Sequence, residues 1–455
     1  MSVGVSDSTA LMAEFVSGAS IGPEARERAA LAFADTIGVM LAGAHEPAAR
    51  MAQAMAADEG AGTGPCRVLG SALGAGPELA AFANGVAAHA LDYDDMCFVS
   101  LAHPSCALVP ALLAVGELVS ARGARLLDAY VAGFEIECRL GTVMNPRHYH
   151  QRGWHCTSSI GTVGAAAAAA RLLGLDAART RHALGIAASA ACGLKENLGT
   201  MVKPLHAGLA ARNGVMAARL AERGFTASPH ALDGPQGYLA AMDSEGASLE
   251  PAISDLGSRW EILETGVTVK LYPSCAATHP PLDALVDLQR RERFRAADVE
   301  AIDVEVDSMT PRLLIHPRPA SGLEAKFSMP FCAAAALVYG RLDIGTFDLE
   351  HIRNPEVQAL LPRVTLRANA AFDTAAPLSR ARVTVRLTDG RTLTQAADGA
   401  RGYPGRLTDD ELATKFTACA TGTLTAAGAA AAWPSLRNLA GVANVRDLTA
   451  LFATS

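Results

Sequence analysis

Four short segments of the chain concentrate the side chains that could perform acid–base chemistry. The first contains three carboxylates within four residues, Asp92, Asp94 and Asp95, and is followed by His103. Crowded carboxylates raise one another's pKa, which suits general acid–base catalysis. The same pattern is also typical of a solvated loop that caps a helix, because structural ion pairs perturb pKa values as well.

The second segment, Gly153–Ser159, opens an alanine-rich helix. A helix N-terminus presents backbone N–H groups to anions, and the hydroxyls of Thr157 and Ser158 add donors, so this segment predicts an anion-binding site. His155 lies at the helix start, where it could act as an acid or a base near neutral pH. The alternative is an ordinary helix cap with a packed Trp and His.

The third segment places Lys203 between apolar residues and a proline, with His206 three residues later and Arg212 further on. Lysine is rarely buried unless it is paired, so this position predicts a residue that binds a substrate carboxylate. His206 and Arg212 are predicted to assist in substrate binding. The alternative is a lysine whose apolar stem is covered while its ammonium group reaches solvent.

The fourth segment combines a cation, a phenol, a thiol and an imidazole: Lys270, Tyr272, Cys275 and His279. Tyr272 and His279 are predicted to assist in substrate binding. It follows the β-branched stretch Val267–Tyr272, which predicts a strand, and it precedes a helix. A cysteine in this position could be an acid–base group or a nucleophile if its pKa is lowered. The alternative is a buried structural thiol.

Composition and motifs exclude several classes of protein. The formal net charge of −7 is opposite to the basic surface of nucleic-acid-binding domains. None of the nine cysteines forms a CxxC pair, and no cluster has zinc or iron–sulfur spacing. No dinucleotide fingerprint or phosphate loop occurs in a strand–turn–helix context. We therefore predict binding of a small molecule, with no metal, no cofactor and no nucleic acid.

The same features predict a cytoplasmic protein that does not enter the membrane. The longest apolar run, residues 161–170, is about half of the roughly 20 residues that span a bilayer. The first residues lack the basic start and apolar run of a signal peptide. An odd number of cysteines among apolar residues fits a reducing compartment.

Most of the elements that must position these segments are predicted to be helices. Helical apolar spacing and alanine-rich runs continue from Pro23 to Gly266. Between residues 267 and 401, helical stretches alternate with strand patterns, including Arg382–Leu387 and a hairpin turn at Asp389–Gly390. Helical patterns return after Arg401. The sequence therefore predicts a mainly α protein with an α+β second domain.

Taken together and in order, these segments resemble the MmgE/PrpD family, which contains 2-methylcitrate dehydratase, cis-aconitate decarboxylase and iminodisuccinate epimerase. The resemblance covers nearly the whole chain. The matching strings are Asn84–Asp95, Gly153–His155, Lys203–Gly208, Ala210–Gly214, Lys270–Cys275 with Thr278 and His279, and Ala325–Ser328.

The resemblance implies a large all-helical domain formed by residues 1–266 and completed by 402–455, and a smaller α+β lid domain formed by 267–401. It also implies a homodimer without a metal ion. The catalytic residues that it implies are Asp92, His103, His155, Lys203 and Lys270, with Cys275 at a position where the decarboxylase branch has a histidine.

Two departures from the family pattern concern the reaction. Met96 stands where the dehydratase and decarboxylase branches usually have threonine, and one residue is added before His103. The stretch Cys192–Met201 is most similar to the epimerase branch.

The leading hypothesis is a lyase that abstracts a proton next to a carboxylate of a small di- or tricarboxylic acid, as 2-methylcitrate dehydratase does. Lys203 and Lys270 would hold carboxylates, and His155 or Asp92 would move the proton. The first alternative is an epimerase of an iminodisuccinate-like dicarboxylate, and the second is a decarboxylase of the cis-aconitate type. A further alternative is a non-catalytic helical scaffold, whose melting temperature no small polycarboxylate would raise.

Overall fold

The computed structural model describes residues 7–60, 62–242, 248–375 and 379–453, which form two compact units. The first unit comprises the described parts of Met1–Ala90, Asp94–Val267 and Asp409–Ser455, and the second comprises Leu91–Tyr93 and Thr268–Thr408. The first is helical apart from one two-stranded ribbon, and the second combines helices with a four-stranded sheet. The predicted fold class, mainly α with a smaller α+β part, is confirmed.

The first unit contains sixteen α-helices among its described residues. They are α1 (Ser8–Gly18), α2 (Pro23–Gly43), α3 (Pro47–Gly60), α4 (Pro77–Ala90), α5 (Ser105–Leu118), α6 (Gly123–Met144), α7 (Arg147–His150), α8 (Cys156–Leu173), α9 (Ala177–Ala190), α10 (Val202–Glu222), α11 (Tyr238–Ala241), α12 (Glu250–Ile253), α13 (Glu261–Glu264), α19 (Asp409–Ala420), α20 (Ala426–Arg437) and α21 (Val445–Ala450). Its ribbon pairs β1 (Cys66–Arg67) with β2 (Gly74–Ala75) in antiparallel orientation.

Small residues allow the central helices of this unit to approach closely. A Cβ on Gly85 of α4 would lie 2.9 Å from the backbone oxygen of Ala207 on α10. A Cβ on Gly208 of α10 would lie 2.7 Å from the Phe82 backbone oxygen, so glycine is required on both sides of this contact. Helix α8 packs on α10 with similarly small side chains. The close approach determines where the polar residues at the helix ends lie.

The C-terminal helices share a core with the N-terminal ones. Helix α19 packs along α2, where the side chain of Phe416 lies against Gly38. The ammonium group of Lys415 forms an ion pair of 2.6 Å with the buried Asp35 carboxylate. The two ends of the chain therefore stabilise one hydrophobic core.

The second unit is built on a mixed sheet of order β4-β3-β5-β6. Its strands are β3 (Val299–Val306), β4 (Val364–Ala368), β5 (Arg380–Leu387) and β6 (Thr392–Asp398), and only the β3–β4 pair is parallel. Its helices are α14 (His279–Glu292), α15 (Gly322–Ala325), α16 (Met329–Tyr339), α17 (Leu349–Ile352) and α18 (Pro355–Leu360). Burial alternates along β3 and β5, because one face of the sheet packs against α14 and α16. The predicted hairpin around Asp389–Gly390 is confirmed.

The strand predicted over Val267–Tyr272 is wrong. Val269 donates one backbone hydrogen bond to Gly402, and the chain then bends through residues 271–274 instead of continuing a ladder. Lys270 is turned toward Asp92, with which it forms an ion pair. Tertiary contacts thus override the local β preference of these residues.

None of the helices in the described ranges combines the length and the apolar character that a bilayer crossing requires.

Candidate active site

Four histidine side chains lie next to one another in the first unit. His89 is on α4, His103 precedes α5, His155 caps the N-terminus of α8, and His206 is on α10. The ring centroids are 4.6 Å apart for His89 and His103, 5.8 Å for His89 and His155, and 5.1 Å for His155 and His206. This proximity allows the charge on any one imidazole to affect the other three.

Hydrogen bonds fix the orientation of two of these imidazoles. Nδ1 of His89 donates to the Asp94 carboxylate at 2.8 Å. Nδ1 of His103 donates to the backbone oxygen of Asp95 at 2.8 Å and lies 3.4 Å from the Asp94 carboxylate. A carbonyl oxygen only accepts, so the neutral form of His103 carries its proton on Nδ1 and its lone pair on Nε2.

The third and fourth imidazoles are held uncharged at neutral pH. Burial, followed by the neighbouring positive charges of His89 and Lys203, lowers the pKa of His155 well below its usual value. The same causes lower the pKa of His206 to about 4. Nδ1 of His155 and Nδ1 of His206 are 3.0 Å apart, so one ring donates and the other accepts. An uncharged imidazole in this position can act as a base.

Lys203 lies in the first turn of α10, where its charge is close enough to lower the pKa of both His155 and His206. It is 6 % exposed and shares a helix face with His206. A cation at a helix N-terminus is opposed by the helix dipole, so an anion bound here would gain from both Lys203 and the free N–H groups. Arg212 lies nine residues after Lys203, on the opposite face of the helix, and the structure does not bring the two side chains together.

The two hydroxyls predicted at the start of α8 have different surroundings. Thr157 Oγ1 accepts a hydrogen bond of 3.0 Å from the backbone N–H of His103 and thereby fixes the loop. Ser158 Oγ is buried and has no hydrogen-bond partner among the described residues. It faces Gly193, whose φ of +116° lies in the range that favours glycine. A buried hydroxyl without a partner costs about 1–3 kcal/mol, so Ser158 is a candidate donor to a ligand.

In the second unit, Asp92 and Lys270 are in direct contact. Lys270 Nζ donates to the Asp92 carboxylate at 2.5 Å and to the Asp92 backbone oxygen at 2.9 Å. Asp92 has a φ of +53°, and the two hydrogen bonds from Lys270 stabilise this left-handed backbone conformation. Lys326 Nζ donates to the Leu91 backbone oxygen, and the Tyr93 hydroxyl donates to Leu271. Residues 91–93 are therefore held by buried side chains of the second unit.

The other predicted residues of the second unit are used in local hydrogen bonds. The Tyr272 hydroxyl donates to the Asp283 carboxylate at 2.7 Å, and burial together with this carboxylate raises the pKa of Tyr272. The His279 ring lies 5.1 Å from the Tyr272 ring at the start of α14. The half-buried Cys275 donates its backbone N–H to Lys326. The catalytic roles of Asp92, Lys270 and Cys275 and the binding roles of Tyr272 and His279 stay predictions.

Comparison with known protein families agrees with the resemblance found in the sequence. The MmgE/PrpD N-terminal domain matches residues 10–250, and the MmgE/PrpD C-terminal domain matches residues 272–438. The chain belongs to the MmgE/PrpD family.

Curated relatives of this MmgE/PrpD protein align over most of its length. The chain is 30% identical to the cis-aconitate decarboxylase-like protein oryM of Aspergillus oryzae, over 94% of the chain and 92% of that protein. It is 30% identical to the cis-aconitate decarboxylase of Homo sapiens, over 82% of the chain and 77% of the relative. It is 31% identical to the cis-aconitate decarboxylase of Mus musculus, over 76% of the chain and 72% of the relative.

Sequence reasoning on this MmgE/PrpD protein named Asp94 among the crowded carboxylates but missed His89 and the pairing of the two residues. Both lie in the string Asn84–Asp95, but they are five residues apart and are separated by the end of α4. The left-handed backbone of Asp92 reverses the chain so that the Asp94 carboxylate returns to the His89 ring. A histidine followed five residues later by an aspartate is the only local signal of this pair.

The side chains of His89, Asp94 and His103 offer atoms of the kind that bind a cation. Their donor atoms lie within 4.8 Å of one another. Nδ1 of each histidine is already bonded to an oxygen, and these hydrogen bonds account for the short distances. We therefore describe the three side chains as a hydrogen-bonded acid–base group.

Proposed function

We propose that this MmgE/PrpD protein is a lyase that removes a proton next to a carboxylate of a small tricarboxylic acid, and that it dehydrates a 2-hydroxy acid similar to 2-methylcitrate. The observation that carries the proposal is the pairing of an uncharged, buried His155 with a buried Lys203 at the neighbouring helix start. The first supplies a base, and the second supplies a charge for a carboxylate.

The carboxylate is bound by groups at the starts of α8 and α10. Lys203 neutralises its charge, the free N–H groups of α8 point toward it, and Ser158 donates a hydrogen bond. Neutralisation matters because a proton beside a carboxylate is hard to remove while the carboxylate keeps its full charge. As the proton leaves, negative charge spreads onto the carboxylate oxygens, where Lys203 stabilises it.

His155 is the base in this proposal, and His206 orients it. His155 donates its Nδ1 proton to Nδ1 of His206, which leaves the lone pair of His155 on Nε2. Nε2 takes the proton from carbon, the electron pair forms a carbon–carbon double bond, and the adjacent C–O bond breaks. The departing hydroxyl takes the proton that Nε2 accepted, so it leaves as water and His155 returns to its uncharged form.

A second candidate, decarboxylation of a cis-aconitate-like acid, is favoured by the names of the curated relatives. Carbon dioxide loss leaves an electron pair that must be protonated, and it does not require a base. The uncharged state of His155 therefore supports proton abstraction over decarboxylation. Cys275 also supports this preference, because the decarboxylase branch has a histidine at that position.

Incubation with single substrates in D₂O, followed by proton NMR, tests the proposal. The substrates are citrate, 2-methylcitrate, cis-aconitate, tartrate and iminodisuccinate. Dehydration gives an alkene that absorbs in the ultraviolet, and epimerisation gives deuterated substrate-like product without new absorbance. Decarboxylation releases carbon dioxide. We expect an alkene from a hydroxy acid; absence of any exchange or product with a folded protein would contradict the proposal.

A further inference from the structure

The aspartate–histidine pair of Asp94 and His89 has no role in the mechanism above. Both side chains are buried, at 0 % and 1 % exposure, and the carboxylate oxygen lies 2.8 Å from Nδ1 of the ring. The opposite side of this pair is occupied by other imidazoles, because the His89 ring is stacked against the ring of His155 at an angle of 21°. The His89 ring therefore lies between the buried Asp94 carboxylate and the ring of His155, the proposed base.

The four imidazoles cannot all carry a positive charge at the same time. Two positive charges about 6 Å apart in a buried site repel each other, so protonation of one ring lowers the pKa of its neighbour. The imidazole closest to a carboxylate is the one whose charged form is stabilised. Of the four rings, His89 makes the shorter contact with Asp94, since His103 is 3.4 Å from it and donates to the Asp95 backbone.

We propose that His89, ion-paired with Asp94, is a positively charged positioning residue that keeps the imidazole of His155 uncharged and able to accept a proton. The role of His155 as the base rests on the proposed function, whereas the charge on His89 does not. The positive charge of His89 is among the causes that lower the pKa of both His155 and His206.

Other charged and titratable groups face this pair from the neighbouring elements. They are Lys203 and His206 of α10, His155 before α8, His103 and Cys106 at the start of α5, Asp95 of the same loop, and Asp35 of α2 with its partner Lys415 of α19. Burial raises the pKa of both Asp95 and Cys106, which favours their uncharged forms. Asp35 is paired with Lys415, whereas the Asp94 carboxylate is in direct contact with the histidine group.

The test is a histidine NMR titration of the folded protein, in the wild type and in two variants. Replacing His89 with glutamine removes the proximal positive charge but leaves Asp94. We expect the pKa of His206 to rise from about 4 by on the order of one unit, and that of His155 to rise as well. The Asp94→Asn variant retains the His89 imidazole but removes the carboxylate that stabilises its charge. Loss of the charge on His89 raises the pKa of His155 and His206, whereas loss of the more distant anion lowers it, so we expect a smaller rise than in His89→Gln.

His182 of α9 provides the control, because it is a histidine of the same unit whose Nδ1 accepts a backbone N–H from Ala227. His182→Gln is expected to leave the titrations of His155 and His206 unchanged. If the pKa of His155 and His206 stays constant in His89→Gln, or falls in Asp94→Asn, then His89 is uncharged and the proposal is overturned.

Activity separates this proposal from the proposed function. If both stand, the acid limb of the pH–activity profile moves to higher pH in the same order as the titrations, while a merely structural role would lower activity at all pH values equally. Shifted titrations in a protein that converts no polycarboxylate would uphold the charge on His89 and reject the lyase. Turnover with unshifted titrations would uphold the lyase and reject the role of His89.

Discussion

His155 and His206 share a hydrogen bond between their Nδ1 atoms, and both are uncharged in neutral solution because they are buried beside positive charges. The same residues would be ordinary acids or bases on a surface, with a pKa near 6.5. The candidate chemistry of this protein therefore depends on where four imidazoles and one lysine are buried, and less on the residue types themselves.

The lowered pKa of His206 makes folding stability depend on pH. Between about pH 4 and the unfolded value of about 6.5, the unfolded chain binds a proton that folded His206 does not bind. This contribution to stability is complete above about pH 6.5 and is lost as the pH falls toward 4. Urea unfolding at pH 7.5 and pH 5 measures this effect. When the pH is lowered from 7.5 to 5, we expect the free energy of unfolding to fall by about 1–3 kcal/mol less in His206→Gln than in the wild type.

Opposite contributions from groups such as Glu135, whose pKa burial raises to about 7, are present in both proteins and cancel in this difference. A variant whose stability falls with pH as steeply as that of the wild type would contradict a lowered pKa for His206.

Replacement of Lys203 tests the carboxylate-binding charge. Lys203→Met keeps the length of the side chain and removes the charge, so we expect the fold to persist while kcat/KM falls by about 10²–10³, as for other donors that stabilise developing negative charge. Steady-state kinetics and circular dichroism measure the two effects. Lys195→Met is the control, because it removes a second lysine charge of the same unit, one that lies over the Tyr149 ring. Unchanged kinetics in Lys203→Met would remove Lys203 from the site.

At the scale of elements, the contact between α4 and α10 positions His89 relative to His206. Gly85 and Gly208 lie at this contact, and a Cβ on Gly208 would meet the Phe82 backbone oxygen, which cannot rotate away. The helices themselves were predictable from apolar spacing and alanine content. The closeness of their approach was not, because it depends on which glycines face each other.

Substitution of Gly208 tests this contact. Gly208→Ala is expected to force the two helices apart, to cost about 1–3 kcal/mol of unfolding free energy, and to reduce activity by displacing His206. Gly18→Ala in α1 is the control, since a Cβ there has no neighbour within 4 Å. Equal stability of the two variants in thermal or urea unfolding would show that α4 and α10 have room for a methyl group.

At the scale of the whole molecule, the sequence predicted the fold class and the family but not the details of pairing. The hairpin at Asp389–Gly390 was predictable, because its turn chemistry is local. The absent strand at 267–272 was not, because Lys270 is drawn to Asp92, 178 residues away in the sequence. The pairing of His89 with Asp94 was missed for a local reason, because it depends on the left-handed backbone of Asp92 between them. The predicted homodimer stays a prediction.

The ends of the chain are joined by the buried pair of Lys415 and Asp35. Lys415→Met leaves the Asp35 carboxylate buried without its cation, and we expect it to cost about 3–5 kcal/mol. The double variant Asp35→Asn with Lys415→Met should recover part of this loss, because no charge remains buried. Urea unfolding of the wild type, Lys415→Met and the double variant measures these differences in unfolding free energy. A double variant less stable than Lys415→Met alone would contradict the account.

The central claim is that His155 takes a proton from the carbon next to a carboxylate. The most direct measurement is the rate at which that carbon–hydrogen bond is lost from a converted hydroxy acid in D₂O, compared by proton NMR for the wild type and His155→Gln. We expect the variant to stay folded and the rate of reaction at this carbon to fall by at least about 10²-fold. Loss of the carbon–hydrogen bond at the wild-type rate in His155→Gln would contradict it.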